Sequence, residues 1–381
     1  MEPLHALVLL STFMGLLSIG VPISASIGLT TLVTLGLSVD AGVAATTVAQ
    51  RIATGLDRFT LLAIPFFILS GQFMNRGGIA RRLIDFARAL VGMLPGGLAY
   101  VTIVAGMLFG AISGSAVAAV AAVGGFMVPR MVEQGYEKNF ATAVNISSAT
   151  NSLIIPPSNI LIVYALASGG ASIAALFVAG YLPGLLVGLM LMGVAGWISW
   201  HQGYALDTKV GGRETLRRSL AALPSLFMVI VVIGGIVAGY FTATEAGAIA
   251  VLYSFVLAVV VYREVKLREV PGILVDASAT TAIVMLLIGT SMALSWVLAY
   301  ERIPEALSAF FLSMIASKAL ILLSINAVLL IVGTVLDMTP AVLIFTPILL
   351  PVVESLGLHP VHFGIVIVLN LCIGLCTPPV G

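Results

Sequence analysis

"SATNSLIIPPSN", Ser148 to Asn159, stands in a chain that otherwise reads as lipid-compatible helix. Proline lacks the N–H that closes the helix ladder, and its ring clashes one turn back, so Pro156-Pro157 interrupts any span it falls in. Asn151, Ser152 and Ser158 place side-chain oxygens beside that interruption. Within hydrocarbon an unpaired backbone group costs several kcal/mol, so irregular backbone survives only where protein or a wet cavity receives it. A second stretch of the same kind, "GLCTPPVG", runs from Gly374 to Gly381.

Composition sets the environment. The 381 residues are 60% hydrophobic and only 9% charged, with a mean hydropathy of +1.17. A soluble domain carries about 25% charged residues, so this chain cannot cover a globular surface. Apolar runs of the roughly 20 residues needed to cross a bilayer recur from end to end, and the short alternating segments of a membrane β-barrel are missing. The reading is an all-α, polytopic, multi-pass membrane protein. Candidate spans are Leu4–Ile19, Val21–Ser38, Leu61–Met74, Leu90–Phe109, Val117–Val128, Phe140–Ala167, Ala174–Trp200, Leu220–Tyr240, Thr244–Tyr262, Ala277–Leu298, Ala319–Leu336, Ala341–Val353 and Val361–Cys376. "TVAQRIATGLDRF", Thr47 to Phe59, mixes apolar and basic residues and reads as an interfacial helix. The N-terminus reads as a retained first span, because no basic region precedes its apolar run.

Net charge is +1, which offers nothing to nucleic acid. Arginines and lysines gather after the third span (Arg76, Arg81, Arg82, Arg88), before Leu220 (Lys209, Arg213, Arg217, Arg218) and after Tyr262 (Arg263, Lys266, Arg268). The positive-inside rule assigns all three groups to the cytoplasm. "YFTATEAG" is then the tip of a hairpin on the opposite side, with Thr242 and Glu245 at capping-box spacing. Cys372 and Cys376 lie one turn apart with no further metal ligand near them, so no transition-metal site is expected.

An internal repeat follows from the prolines. A shift of 222 positions carries Pro156-Pro157 onto Pro378-Pro379, Pro129 onto Pro351, Gly135 onto Gly357 and Ser115 onto Asp337. The chain divides into a first half, 1–200, with a hairpin at about 138–168, a hydrophilic connector, 201–218, and a second half, 219–381, with a second hairpin from about 360. Interrupted hydrophobic segments at corresponding places in two halves are the sign of a secondary transporter. Ser113, Gly114 and Ser115 mark the partner break in the first half, and Gly333, Asp337 and Thr339 in the second. Small residues at helix crossings also serve packing alone, and Asn or Ser can act as glue between helices. An intramembrane carboxylate such as Asp337 is expensive and points to an ion or gating role.

At these residues the chain resembles the large membrane subunit of the tripartite ATP-independent periplasmic (TRAP) transporters. The resemblance rests on "LLAIPFFILSGQFMNRGGIARRLIDFARALVG" (Leu61–Gly92), "ISGSAVA" (Ile112–Ala118), "IIPPS" (Ile154–Ser158), "FTATEAGAIA" (Phe241–Ala250), "SWVLAYERIPEAL" (Ser295–Leu307) and "PILLPVVESLGLHPVHFGIVIVLNLCIGLCTPPVG" (Pro347–Gly381). It implies two inverted repeats with two re-entrant hairpins, a scaffold and an elevator-type transport domain in the bacterial inner membrane. It further implies Na⁺-coupled import of an organic acid, a C4-dicarboxylate or sugar acid, with Na⁺ as coupling ion and no other cofactor. A periplasmic binding protein and a small second membrane subunit are the implied partners. Carried over by motif, Asn151, Ser152, Pro156, Pro157 and Ser158 form the first hairpin tip, and Gly374, Thr377, Pro378 and Pro379 the second. Many members have Ile-Gly where this chain has Asn151-Ser152. Members also continue past the second tip, so a chain ending at Gly381 is expected to be a C-terminally shortened piece.

Other functions fit less well. A Na⁺-coupled carboxylate carrier working without a binding protein shares the same pattern. An intramembrane serine protease would need a base beside Ser113, yet His5, His201, His359 and His362 all fall at span edges. A primary pump would need a Walker A loop, and no lysine follows a glycine here. A simple channel shares such folds, but a repeat built on broken helices argues for alternating access.

Overall fold

The computed structural model describes residues 3–204, 212–306, 309 and 317–378. Its described residues form two compact units, each discontinuous in sequence: Met1–Leu61 with Val163–Ser172 and Ala279–Gly381, and Leu62–Ile162 with Ile173–Ser278. Every long element is helical, as the absence of water inside a bilayer demands. Seven helices among the described residues are long and apolar enough to cross a membrane.

In chain order the helices are α1 (Pro3–Ser18), α2 (Ile23–Leu35), α3 (Ala41–Leu56), α4 (Ala63–Arg76), α5 (Ile79–Val91), α6 (Gly97–Ser113), α7 (Ala116–Glu133) and α8 (Lys138–Asn151). There follow α9 (Asn159–Ala167), α10 (Ile173–His201), α11 (Gly212–Val237), α12 (Ala243–Phe255), α13 (Val270–Tyr300), α14 (Lys318–Val335), α15 (Met338–Ser355) and α16 (Pro360–Gly374). Several expected spans are redrawn. Val21–Ser38 holds only the 13-residue α2. Leu90–Phe109 is divided, because its first residues close α5, whose buried Ile79, Leu83, Ile84 and Ala87 oppose Arg81, Arg82, Asp85 and Arg88. That amphipathic helix went unread because its charges looked like a loop. Helix α3, where an interfacial helix was expected from Thr47, starts earlier, at Ala41, and α11 starts within the connector, at Gly212. Connector residues 205–211 lie outside the described residues.

The repeat is carried into the backbone. Shifting by 222 positions lays the end of α6, Ser113, on the end of α14, Val335, and both ends of α7 on both ends of α15. It also lays the start of α8, Lys138, on the start of α16, Pro360. The helix caps correspond: Ser115 and Asp337 are N-caps, as are Glu137 and His359. After α7, Gly135 N donates to Val132 O (3.0 Å) and Tyr136 N to Met131 O (3.0 Å). After α15, Gly357 N donates to Glu354 O (2.8 Å) and Leu358 N to Val353 O (3.0 Å). This is the same C-terminal motif twice, and it requires the left-handed conformation that Gly135 (φ 88°) and Gly357 (φ 79°) adopt. The matched glycines are therefore a backbone requirement.

In the first unit α2, α3 and α13 share a core of Leu35, Ala44, Val48, Ala293 and Val297. Ile27, Leu287, Leu294, Leu298 and Ile344 extend it to α15. The edge is closed by polar groups: Ser38 Oγ donates to Glu301 Oε1 (2.6 Å), and His5 Nδ1 lies 2.9 Å from Glu301 Oε2. In the second unit α4 packs on α12, with Ser70 Oγ donating to Ala250 O (3.2 Å). The "TATE" stretch forms the expected capping box, Thr242 N donating to Glu245 Oε2 (2.8 Å) and Glu245 N to Thr242 Oγ1 (3.3 Å).

Two predictions follow from this architecture. Gly135→Ala and Gly357→Ala each force a side chain into the left-handed region, at about 1–2 kcal/mol. Both are expected to lower the melting temperature of the purified chain, while Gly125→Ala, in open space within α7, leaves it unchanged or raises it. Equal behaviour of all three contradicts the motif. The second concerns acid. Burial raises the Glu301 carboxyl pKa, but the Ser38 and His5 hydrogen bonds and the His5 charge outweigh it and hold the group below its ordinary value. A carboxyl lowered on folding stabilises above its unfolded pKa and loses that contribution as pH falls through its folded one. Glu301→Gln is expected to lower the melting temperature at pH 7 and to reduce its fall between pH 7 and 3, read by thermal unfolding in detergent.

Candidate functional site

The Pro-Pro interruption is real, and it is held by glycines. Helix α8 ends at Asn151, and α9 resumes at Asn159. Three hydrogen bonds, Leu153 N to Thr150 O (3.1 Å), Ile154 N to Asn151 O (3.2 Å) and Ile155 N to Ser152 O (3.2 Å), tighten the turn between them. The Pro156-Pro157 peptide is cis. Ser158 Oγ reaches back to Leu153 O. Residues 151–154 and 156–158 are buried.

Three helices of the same unit open glycine faces to receive α8 and its break. On α6, a Cβ at Gly106 would lie 2.6 Å from Ser148 Oγ, and one at Gly110 only 1.7 Å from Ser152 Oγ. On α7, a Cβ at Gly124 would lie 2.0 Å from Asn145 Nδ2. On α10, Gly180, Gly184 and Gly188 recur at one-turn spacing, and a Cβ at Gly180 would stand 2.4 Å from Ile154 O. Asn151 Nδ2 donates to Gly184 O (3.0 Å), and Asn145 Nδ2 to Val120 O (3.0 Å). These amides bind helix to helix, a bond worth about 0.6 kcal/mol on average in a membrane interior. Ser148 and Ser152 donate to carbonyls of their own helix, Asn145 O and Ala149 O. The Oδ1 atoms of Asn145 and Asn151 are buried without a hydrogen-bond partner.

The partner break lies where α6 gives way to α7. Gly114 is left-handed (φ 63°) and Ser115 extended (φ −137°). Ser115 N donates to Ser113 Oγ (3.4 Å), and Ala118 N to Ser115 Oγ (3.3 Å). Ser113 O abuts Gly71 of α4, where a Cβ would come within 2.8 Å. A Cβ on Gly114 would lie 2.8 Å from Asn159 Nδ2, so the first residue of α9 sits on this break. Asn159 was not among the expected site residues, although it ends the stretch that first marked the break. The tip and the Ser113–Ser115 break thus meet through Asn159.

In the second half, Leu336 is extended (φ −112°, ψ 140°) between α14 and α15. Asp337 is the N-cap of α15, exposed, with no capping bond from its side chain. Thr339 lies half-buried in the first turn of α15. Gly333 and Gly374 meet backbone to backbone, a Cβ on Gly374 lying 2.5 Å from Gly333 Cα. One turn away Asn370 Nδ2 donates to Asn326 Oδ1 (2.6 Å), a half-buried pair that sequence reading missed. In the 222 register Asn370 stands where Ser148 does, which is the signal that could have found it. Thr377 Oγ1 donates to Gly374 O (2.6 Å), and Pro378 is exposed. Pro379 lies outside the described residues. Among the described residues no three His, Cys, Asp or Glu side chains gather as a metal site.

The glycine seat makes a coupled prediction. Gly110→Ala drives a methyl into Ser152 and is expected to lower the melting temperature and the yield of folded chain. Ser152→Gly, which copies Gly374 of the second half, is expected to relieve it in the double variant, with a coupling of about 0.5–3 kcal/mol. Strict additivity of the two changes contradicts the contact.

Comparison with known proteins agrees with this architecture. The chain is 52% identical over 375 residues to the uncharacterized protein YgiK of Salmonella typhimurium, covering 98% of this chain and 86% of that one. It is 39% identical over 395 residues to the C4-dicarboxylate TRAP transporter large permease protein DctM of Rhodobacter capsulatus, covering 99% and 88%. The solved structure of the Alcanivorax borkumensis YdaH transporter superposes with a TM-score of 0.62 at 14% identity, over 88% of this chain and 78% of that one, a likeness of fold. Residues 10–381 match the family described as tripartite ATP-independent periplasmic transporter, DctM component. The chain therefore belongs to the large membrane permeases of the TRAP transporters, which are carriers and not enzymes.

Proposed function

We propose that this permease imports an organic acid, of the C4-dicarboxylate or sugar-acid class, by Na⁺-coupled secondary transport across the bacterial inner membrane. A periplasmic binding protein delivers the acid, and a small membrane subunit completes the complex. The observation that carries this reading is the register of the two breaks, Gly114-Ser115 and Leu336-Asp337, each opening a helix that leads to a Pro-Pro segment.

Interrupted helices offer oxygens and dipoles at mid-membrane depth. Unwound carbonyls and hydroxyls suit Na⁺, and helix N-termini suit a carboxylate. Ser113, Ser115, Asn159 and the carbonyls of 152–158 supply the first set in the second unit. Asp337, Thr339 and Thr377 supply oxygens in the first unit, where the Asp337 carboxylate adds a full negative charge for a cation. The N-termini of α7 and α15 each begin at a break and present partial positive charge to an anion. The mechanism this reading implies is an elevator motion of a transport domain past a scaffold. The name of the Rhodobacter capsulatus relative supports the C4-dicarboxylate class.

The test is uptake into proteoliposomes holding the permease, its small subunit and its binding protein. Replacing Na⁺ by K⁺ is expected to cut uptake by more than about tenfold, equivalent to about 1.4 kcal/mol of lost coupling. Uptake that ignores Na⁺, follows ATP hydrolysis or proceeds without the binding protein overturns the reading. Asp337→Ala is expected to raise the Na⁺ concentration for half-maximal uptake; an unchanged value removes Asp337 from the ion site.

A further inference from the structure

A cavity of about 830 Å³ lies in the second unit against the first Pro-Pro break. Its walls are mostly aliphatic, with the Tyr181 ring among them: Met107 of α6, Ile155 and Pro156 of the break, Leu185 and Leu189 of α10, and Val229 of α11. It presents an organic acid or a cation with almost nothing to bind, and Ser113, Ser115 and Asn159 are not among its lining residues. Leu182, Leu189 and Ile230 on its rim are 70%, 57% and 65% exposed, so the groove is open to the side.

Its polar end is also defined. Arg218 Nη1 of α11 lies 3.9 Å from Asp85 Oδ1 of α5, which sets the basic start of α11 beside α5. Val91, six residues after Asp85, and Leu226, eight after Arg218, both line the groove. At 1.5 Å per residue those offsets are about 9 and 12 Å. Arg88, Arg213 and Arg217 belong to the same two helix ends, with the Arg217 side chain 82% exposed. Apolar groove and cationic end thus lie one headgroup's length apart, at the depth where the positive-inside rule sets the cytoplasmic leaflet.

We propose that the groove between α6, α10 and α11 binds one acyl chain of an anionic phospholipid of the cytoplasmic leaflet, its phosphate meeting Arg213, Arg217 and Arg88, so that the chain rests on Ile155 and Pro156. A transmembrane helix is the other candidate occupant. The arginines at the end of the groove suit a phosphate and offer nothing to the apolar face of a helix. Because the chain touches the break directly, lipid occupancy stabilises the seated tip. This inference does not rest on Na⁺ coupling.

The test is native mass spectrometry of the delipidated full chain, titrated with phosphatidylglycerol or with phosphatidylcholine of the same acyl length. Phosphatidylglycerol is expected to bind more tightly, by about fivefold per arginine engaged. Arg213→Gln with Arg217→Gln should cut the headgroup preference to about the fivefold of the one arginine left, Arg88, while leaving acyl binding. Leu189→Trp, which fills the groove, should remove both lipids, whereas Leu186→Trp, one position outside the lining, should remove neither. If Leu189→Trp does not fold, Val229→Trp tests the opposite wall. Equal binding of the two lipids by the unaltered chain, or lipid retained in both groove-filling variants, overturns the proposal. So does cross-linking of a Leu189→Cys variant to the small subunit in place of lipid.

Discussion

A helix that stops inside a bilayer must have its loose backbone received by other backbone, because the lipid offers no hydrogen bond. The first Pro-Pro segment meets that constraint by close approach. Gly110 admits Ser152, Gly180 admits the Ile154 carbonyl, and Gly184 supplies the carbonyl that Asn151 caps. Six glycines on three helices (Gly106 and Gly110, Gly124, and Gly180, Gly184 and Gly188) form the seat. A methyl at most of them would collide with the break or with the helix leading to it. The seat therefore leaves the break little room to shift.

The two halves solve this problem with the same secondary structure and different side chains. Helix ends, caps and the C-terminal glycine motif superpose at a shift of 222 positions. At the helix crossing the first half sets a serine into a glycine, and the second sets glycine against glycine with an Asn326–Asn370 pair beside it. The N-cap differs too, Ser115 in one half and Asp337 in the other. Equivalent helix N-termini thus carry a neutral hydroxyl in one half and a carboxylate in the other.

The outer face of the first tip is as apolar as its inner face is polar. Ile155 and Pro156 line a groove that is almost wholly apolar, while Ser113, Ser115 and Asn159 gather at the neighbouring break. The tip thus separates an apolar side from a polar side within a few residues.

Sequence alone determined the helical membrane class, the two breaks, the repeat and the capping box at Thr242, because proline, glycine and hydropathy act locally on the chain that carries them. Pro129 and Pro351, or Gly135 and Gly357, announce the same backbone event wherever they fold. The tertiary structure decided which polar residues hold helices together and which stand at a break. Asn151, expected as a ligand, fastens α8 to α10, and Ser152, expected as another, packs against Gly110 and bonds its own helix; Asn159 and Asn370 looked unremarkable and lie at contacts. It also decided that α5 is a helix and not a charged loop. Those distinctions depend on which glycine face or carbonyl lies opposite a side chain, and that is set by packing between segments far apart in sequence.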